Sequence, residues 1–205
     1  MSKVEQKTQS MDPTHPWKLT TERIVIAAML AGLTVCITLI PGIGFIPVPN
    51  VSGNATTGHI PTIIGGIVGG PIVGLLTGFI FGLMSLLHAS SPLFKDPTVA
   101  ILPRIFIGLT AWATFAALKR FSFDVAAISA GVIGSLTNSV LVISMGMIRG
   151  YIPANGVILA SFLPQVIAEA IISAIFAEAV ARSYAIVQQR LVHAPETKAR
   201  EELPY

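Results

Sequence analysis

The run Gly65-Gly66-Ile67-Val68-Gly69-Gly70-Pro71-Ile72-Val73-Gly74 decides the fold. Either Gly69-Gly70-Pro71 is a tight turn between two helices, or one long kinked helix passes through it. Gly-Gly-Pro is good turn chemistry, with proline placed to open the next helix. The charges on either side give an independent test.

Between Ile24 and Phe94 there is no Asp, Glu, Lys or Arg, and residues 125–148 and 150–168 are equally free of charge. Of the 205 residues, 53% are hydrophobic and 11% charged, against about 25% charged in globular chains. So little charge cannot cover a water-facing surface, so the surface faces lipid. A helical span needs roughly 20 apolar residues. The apolar segments run over 22–40, 55–69, 71–88, 97–118, 125–148 and 157–187, between tails 1–21 and 188–205.

Short cytoplasmic loops collect Lys and Arg. With six spans and both ends inside, the cytoplasmic side holds Lys3, Lys7, Lys18, Arg23, Lys119, Arg120, Arg182, Arg190, Lys198 and Arg200, and the outside only Lys95 and Arg149. With five spans the same residues divide evenly and the bias vanishes. The reading is therefore an all-α membrane protein of six transmembrane helices, with both termini cytoplasmic and Gly-Gly-Pro as a turn. The net charge of +3 reflects this topology and not a nucleic-acid partner. Glu5, Asp12 and Glu22 precede the first apolar segment and Pro41-Gly42 follows it, a pattern unlike a cleaved signal peptide. The single cysteine, Cys36, allows no disulfide framework and reads as a small buried hydrophobe.

The second segment is short: about fifteen residues give roughly 22 Å against a core of ~30 Å. The loop before it, residues 45–54, is uncharged and rich in Pro, Gly and Asn. Non-helical backbone at membrane depth must be covered by protein or line a cavity. The loop is therefore expected to fold back into the mouth of the bundle.

Ionisable groups at membrane depth are costly and are usually functional. Arg104 lies about seven residues into the fourth span, roughly 10 Å below its outer end. Glu169 lies near the middle of the sixth. Ser161, Gln165, Glu169 and Ser173 recur every four residues and so share one helix face. Ser135, Asn138 and Ser139 form a second polar patch, and Asn54, His59, Ser90, Ser91 and Asp96 lie toward the outside. These residues suggest an outward-facing polar pocket in which Arg104 holds an anionic group and Asn138, Gln165 and Glu169 supply hydrogen bonds. Alternatively, Arg104 pairs with Glu169, or snorkels to the interface. Glu178 and Arg182 form an (i, i+4) pair. Ala27/Ala31 and Ala28/Gly32 on the first span, and Gly74, Gly78 and Gly82 on the third, offer close helix contact. No phosphate-binding loop, metal-ligand motif or nucleophile–base set occurs, so neither a catalytic residue nor a cofactor is assigned. No internal repeat of the kind common in secondary transporters is visible.

Residues 59–74, the run Phe81-Gly82-Leu83-Met84-Ser85-Leu86-Leu87 and the run Pro97 to Gly108 containing Leu102-Pro103-Arg104 resemble the substrate-binding S components of energy-coupling factor (ECF) vitamin transporters. The resemblance spans nearly all six segments. It implies a six-helix subunit in a prokaryotic plasma membrane that captures a vitamin or related micronutrient from outside. It also implies a separate transmembrane coupling subunit and two ATPases as partners. In that family an Ala-x-x-x-Ala pair on the first helix faces the coupling subunit, which Ala27 and Ala31, with Gly32 beside them, match here. The outer loops and the outer halves of helices four to six line the family's pocket. That agrees with Arg104, Asn138, Gln165 and Glu169, and brings in Asn54, His59 and Ser90. Arg104 favours a carboxylate-bearing ligand such as pantothenate or folate. The competing reading is a self-sufficient secondary carrier using Glu169 for proton coupling. A membrane enzyme or assembly factor has no constellation to support it.

Overall fold

The computed structural model describes residues 15–40, 42–89 and 91–192. Its main elements are helix α1 (Thr21–Leu39), strands β1 (Phe45–Pro47) and β2 (Asn54–Thr56), helix α2 (Ile60–Ile64), α3 (Pro71–Leu87), α4 (Pro97–Leu118), α5 (Phe123–Ile148), α6 (Gly156–Ser161) and α7 (Leu163–Val192). A π-helical turn, Gly65–Gly69, continues α2, and a 3₁₀ turn, Pro92–Lys95, leads into α4. With α2 plus its π turn as one rod and α6 plus α7 as another, the bundle has six helical rods. α1, α4, α5 and the α6–α7 rod are long and apolar enough to cross a membrane, while Ile60–Gly69 and Pro71–Leu87 are shorter apolar helices.

Local chemistry sets the boundaries. Thr20 caps α1 by accepting from Arg23 N, Asp96 caps α4 by accepting from Thr98 N, and Asn155 caps α6 by accepting from Val157 N. Each satisfies a backbone donor that a helix start leaves free. Proline occupies the first turn of α2, α3 and α4, where its missing N–H costs nothing. Gly70, at φ +90°, makes the reversal between the π turn and α3, so Gly-Gly-Pro is the turn that the charge distribution required. The sixth rod is broken at Phe162, between α6 and α7. Pro164 follows there and has no N–H to return to the preceding turn.

Two expectations need correction. Residues 54–56 are not the start of the second helix. They pair antiparallel with 45–47, Ile46 opposite Ala55, in a small hairpin, and the helix begins only at Ile60. The hairpin's polar tip can reach across the bundle, which a helix over the same residues could not do. Cys36, expected to be buried, is exposed, on the side of α1 that turns away from the bundle.

Both described chain ends lie at one end of the bundle. Tyr184 Oη donates to Glu22 Oε1 at 2.9 Å and Gln188 Nε2 to the same oxygen at 3.2 Å. Arg23 is buried beside Gly70 and donates to the carbonyls of His15, Pro16 and Lys18. Trp17 meets Trp112 of α4 edge to face at 5.8 Å. The hairpin, the 3₁₀ turn and the α5–α6 loop occupy the opposite end. Ile24, Met29, Leu33, Ile171, Ile175 and Phe176 are exposed, which suits a lipid surrounding.

Glycine fixes the centre. A Cβ on Gly74 would stand 2.8 Å from Gly108 Cα, one on Gly82 the same distance from Ile101 Cα, and one on Gly78 would collide with the Arg104 carbonyl. The ridge on α3 thus receives the α4 backbone directly, as small-residue packing in membranes requires. Gly66 of the π turn closes on Gly108 from the other side. Gly108→Val should cost about 2 kcal/mol or more and lower the melting temperature in detergent. Gly32→Val, with nothing within 4 Å of an added Cβ, should stay within about 0.5 kcal/mol. Equal losses for the two variants would refute this account of the core.

Candidate functional site

The polar face of α7 meets the hairpin in three successive steps. Asn50 Nδ2 donates to Gln165 Oε1 at 2.6 Å, and Gln165 Nε2 donates to the Asn54 carbonyl at 3.2 Å and to Glu169 Oε1 at 2.9 Å. One turn further on, the Thr56 backbone N–H donates to Glu169 Oε1 at 2.7 Å. Another turn on, His59 Nε2 meets Ser173 Oγ at 2.8 Å, and its Nδ1 lies 3.3 Å from Thr56 Oγ1. The (i, i+4) spacing of Gln165, Glu169 and Ser173 therefore matches the rise of the hairpin's second strand into α2. Ser161, the fourth member of the stripe, returns its hydroxyl to Ile158 O of its own helix. The expectation that loop 45–54 folds into the bundle mouth agrees with this geometry.

Beneath the hairpin is a small polar cavity of about 30 Å³, lined by Arg104, Asn138, Ser139, Gln165 and Glu169 together with Asn54 and Thr56. It has room for one or two waters. Arg104 is 1% exposed. Its Nη1 donates to Val99 O at 2.6 Å, its guanidinium lies 4.8 Å from the Phe94 ring centroid and 5.7 Å from that of Phe81, and Nε has no partner. Among the described residues no ion pair joins Arg104 to Glu169; the pairs found are Arg149–Asp96, Arg182–Asp124 and Arg182–Glu178. Arg104 is turned inward and does not snorkel. Asn138 Oδ1 is likewise unpartnered. Glu169 Oε2 makes no hydrogen bond of good geometry, although the Ser139 hydroxyl is near. Buried polar atoms without partners are expensive. Three of them on residues that line one cavity suit a guest that brings an acceptor to Arg104 and donors to Asn138 and Glu169.

Asp96 and Arg149 pair at the start of α4, with Arg149 Nε donating to Asp96 Oδ2 at 2.7 Å. The Thr98 hydroxyl, and after it Arg149, hold the Asp96 carboxyl down at about 2, so it remains an ionised helix cap at any physiological pH. Asp96 is buried and Arg149 half exposed. A second, larger opening of about 420 Å³ lies between the hairpin and the α6–α7 rod. Its walls are mainly apolar, including Ile46, Val48, Ile60, Pro164, Ala168 and Ile172, and it shares Thr56, Gln165 and Glu169 with the polar cavity.

The structure thus brings Arg104, Asn138, Gln165, Glu169 and Asn54 to one cavity. His59 is buried against Ser173 and borders the larger opening instead. Ser90 lies outside the described residues, as do tail residues 1–14 and 193–205. Thr56 was missed: it contributes a backbone N–H, which no side-chain pattern reveals. Phe81 and Phe94 were also missed, since their role under Arg104 needs the fold. Among the described residues no group of three or more His, Cys, Asp or Glu could hold a metal. On α1, Ala27 is 7% exposed and faces its own bundle; Ala31 is half-buried, and Ala28 and Gly32 are exposed.

A small helical membrane bundle with a polar cavity at one end and open small-residue positions on its first helix defines a class of membrane-embedded subunit. Residues 22–181 match the model of the family described as ECF transporter, substrate-specific component, and the chain belongs to that family. A solved structure reported for the structure and mechanism of the S component of a bacterial ECF transporter matches with TM-score 0.59 at 19% identity, covering 82% of this chain and 98% of that chain. At that identity the likeness is one of fold. No curated protein matches the chain.

Gln165 bridges the hairpin tip and Glu169, so Gln165→Ala should free the hairpin first. Amide exchange over residues 50–56 should accelerate at least about tenfold, while α3 and α4 keep their protection. Unchanged exchange over 50–56 would show that the hairpin is held by other contacts.

Proposed function

We propose that this S component captures a carboxylate-bearing micronutrient at the Arg104 cavity and delivers it to a coupling subunit driven by ATPases. The observation that carries the reading is a set of unpartnered buried atoms, Arg104 Nε, Asn138 Oδ1 and Glu169 Oε2, on three residues that line one cavity. A carboxylate would complete the guanidinium fork, and a hydroxyl or amide N–H on the same ligand would satisfy the other two. Pantothenate and folate both carry these groups. The cavity is too small for either, so the reading requires the hairpin to lift when the ligand binds.

The end of the bundle that holds Glu22, Tyr184 and Gln188 is assigned to the cytoplasm. It carries Lys18, Arg23, Lys119, Arg120 and Arg182, while the hairpin end carries Lys95 and Arg149. On that assignment the cavity lies near the outer surface of the plasma membrane. The coupling subunit is assigned to the exposed small-residue face of α1, where Ala28 and Gly32 flank half-buried Ala31, with Ala27 at its inner edge.

Mass spectrometry of small molecules retained by the purified protein should reveal a carboxylate. Arg104→Ala should weaken its binding about 10- to 100-fold, the worth of a charge-assisted hydrogen bond, and Arg104→Lys should restore only part of it. Undiminished affinity in Arg104→Ala would remove the anion anchor. Gly32→Leu should abolish co-purification with the coupling subunit and ATPases while leaving ligand retention unchanged; assembly that survives it would move the interface elsewhere. ATP-independent uptake by the protein alone in liposomes, lost in Glu169→Gln, would instead establish the proton-coupled carrier.

A further inference from the structure

The polar cavity holds about 30 Å³ and the opening beside it about 420 Å³. Small-molecule sites run from about 300 Å³ upward, so only the second has the size for a ligand's body. The two are separated by a thin polar partition, the Thr56 N–H on Glu169 and the Gln165 amide on Asn54, and Thr56, Gln165 and Glu169 line both spaces. On the far side the walls turn apolar, with Ile46 and Val48 from the hairpin, Ile60 from α2, and Pro164, Ala168 and Ile172 from α7. Ala168 and Ile172 are exposed, so the cleft opens sideways, toward the acyl chains.

Resting on the S-component reading above, we infer that the ligand is amphipathic: its polar head reaches the Arg104 cavity and its apolar limb lies in the lateral cleft between the hairpin and α7. A fully hydrophilic solute would set its own polar groups against these walls and lose hydration without return. An apolar limb gains by burial there. A lipid acyl chain could fill the cleft as well. It would leave Arg104 Nε, Asn138 Oδ1 and Glu169 Oε2 unpartnered behind the partition, and these atoms are the reason to place one molecule across both spaces. Ala168 is the small residue at the mouth, and a larger side chain there would occupy the limb's place without touching the head site.

The test uses the full-length protein in detergent and straight-chain carboxylates from acetate to octanoate. Wild type should bind more tightly by about fourfold per added methylene until the cleft is filled. Ala168→Phe should bind acetate as wild type does but show a flat chain-length series. Arg104→Ala should lose saturable binding at every length. Ile171→Phe, on the exposed side of α7 outside the cleft, should follow wild type. The same slope in wild type and Ala168→Phe would mean simple partitioning into micelles and overturns the inference. A flat wild-type series that still depends on Arg104 also overturns it, while leaving the anion site and the S-component reading in place. Phospholipid as the molecule retained by wild type, or no saturable binding of any member, overturns it too. The S-component reading is judged separately, by co-purification with the energising subunits.

Discussion

Backbone meeting backbone at the centre of the bundle is the constraint on which the rest depends. Lipid offers no hydrophobic drive between helices, so α3 and α4 hold together by proximity, and proximity needs glycine at 74, 78, 82 and 108. The contact also positions chemistry. Gly78 packs on the carbonyl of Arg104 itself, which fixes the depth of its backbone, and the Val99 carbonyl accepts from the guanidinium. Phe81, one turn along the same α3, and Phe94 then supply aromatic faces for a cation that lacks a counter-ion at ion-pair distance. A Cβ anywhere on this ridge would push Arg104 away from the cavity as well as loosen the core.

Around that fixed point the hairpin end of the bundle is built from replaceable polar contacts. Gln165, Glu169 and Ser173 are engaged by the hairpin and by His59, not by an empty pocket. Glu169 is divided: one oxygen holds the hairpin and the other has no partner. A ligand that competes for Glu169 would therefore act on the hairpin by the same bond. The opposite end is different in kind, with Tyr184 and Gln188 on α7 tied to Glu22 on α1. α7 is thus anchored at that end and exchangeable at the hairpin end.

Much of this was legible in the sequence because charge and glycine leave direct marks. The charge-free runs announced the membrane, the lysine and arginine bias set the number of helical rods, and the period-four glycines on α3 foretold the ridge. Arg104, Asn138, Gln165 and Glu169 stood out as polar residues in apolar surroundings. The hairpin did not, because Ala55 and Thr56 suit a strand or a helix start equally, and the strand is held by pairing with 45–47 and by Gln165 and Glu169, more than a hundred residues away. Cys36 was misplaced because an apolar residue in a membrane helix has two apolar environments available, lipid and protein, and composition does not separate them. For the same reason Ala27, buried in its own bundle, could not be told from Ala28 and Gly32, which face outward.

The π turn at Gly65–Gly69 has a consequence for angular phase. A π turn holds one more residue than the α turn it replaces, and each residue of an α-helix rotates the chain by roughly 100°. The single extra residue between the reversal at Gly70 and the start of α2 sets the azimuth from which His59 addresses Ser173. Shortening the segment by one would keep every apolar contact type available yet swing His59, Thr56 and the hairpin tip off the face of α7 altogether. Glycine at 66 and 108 lets the π turn close on α4, so the register of the hairpin is set at the opposite end of the bundle from the hairpin itself.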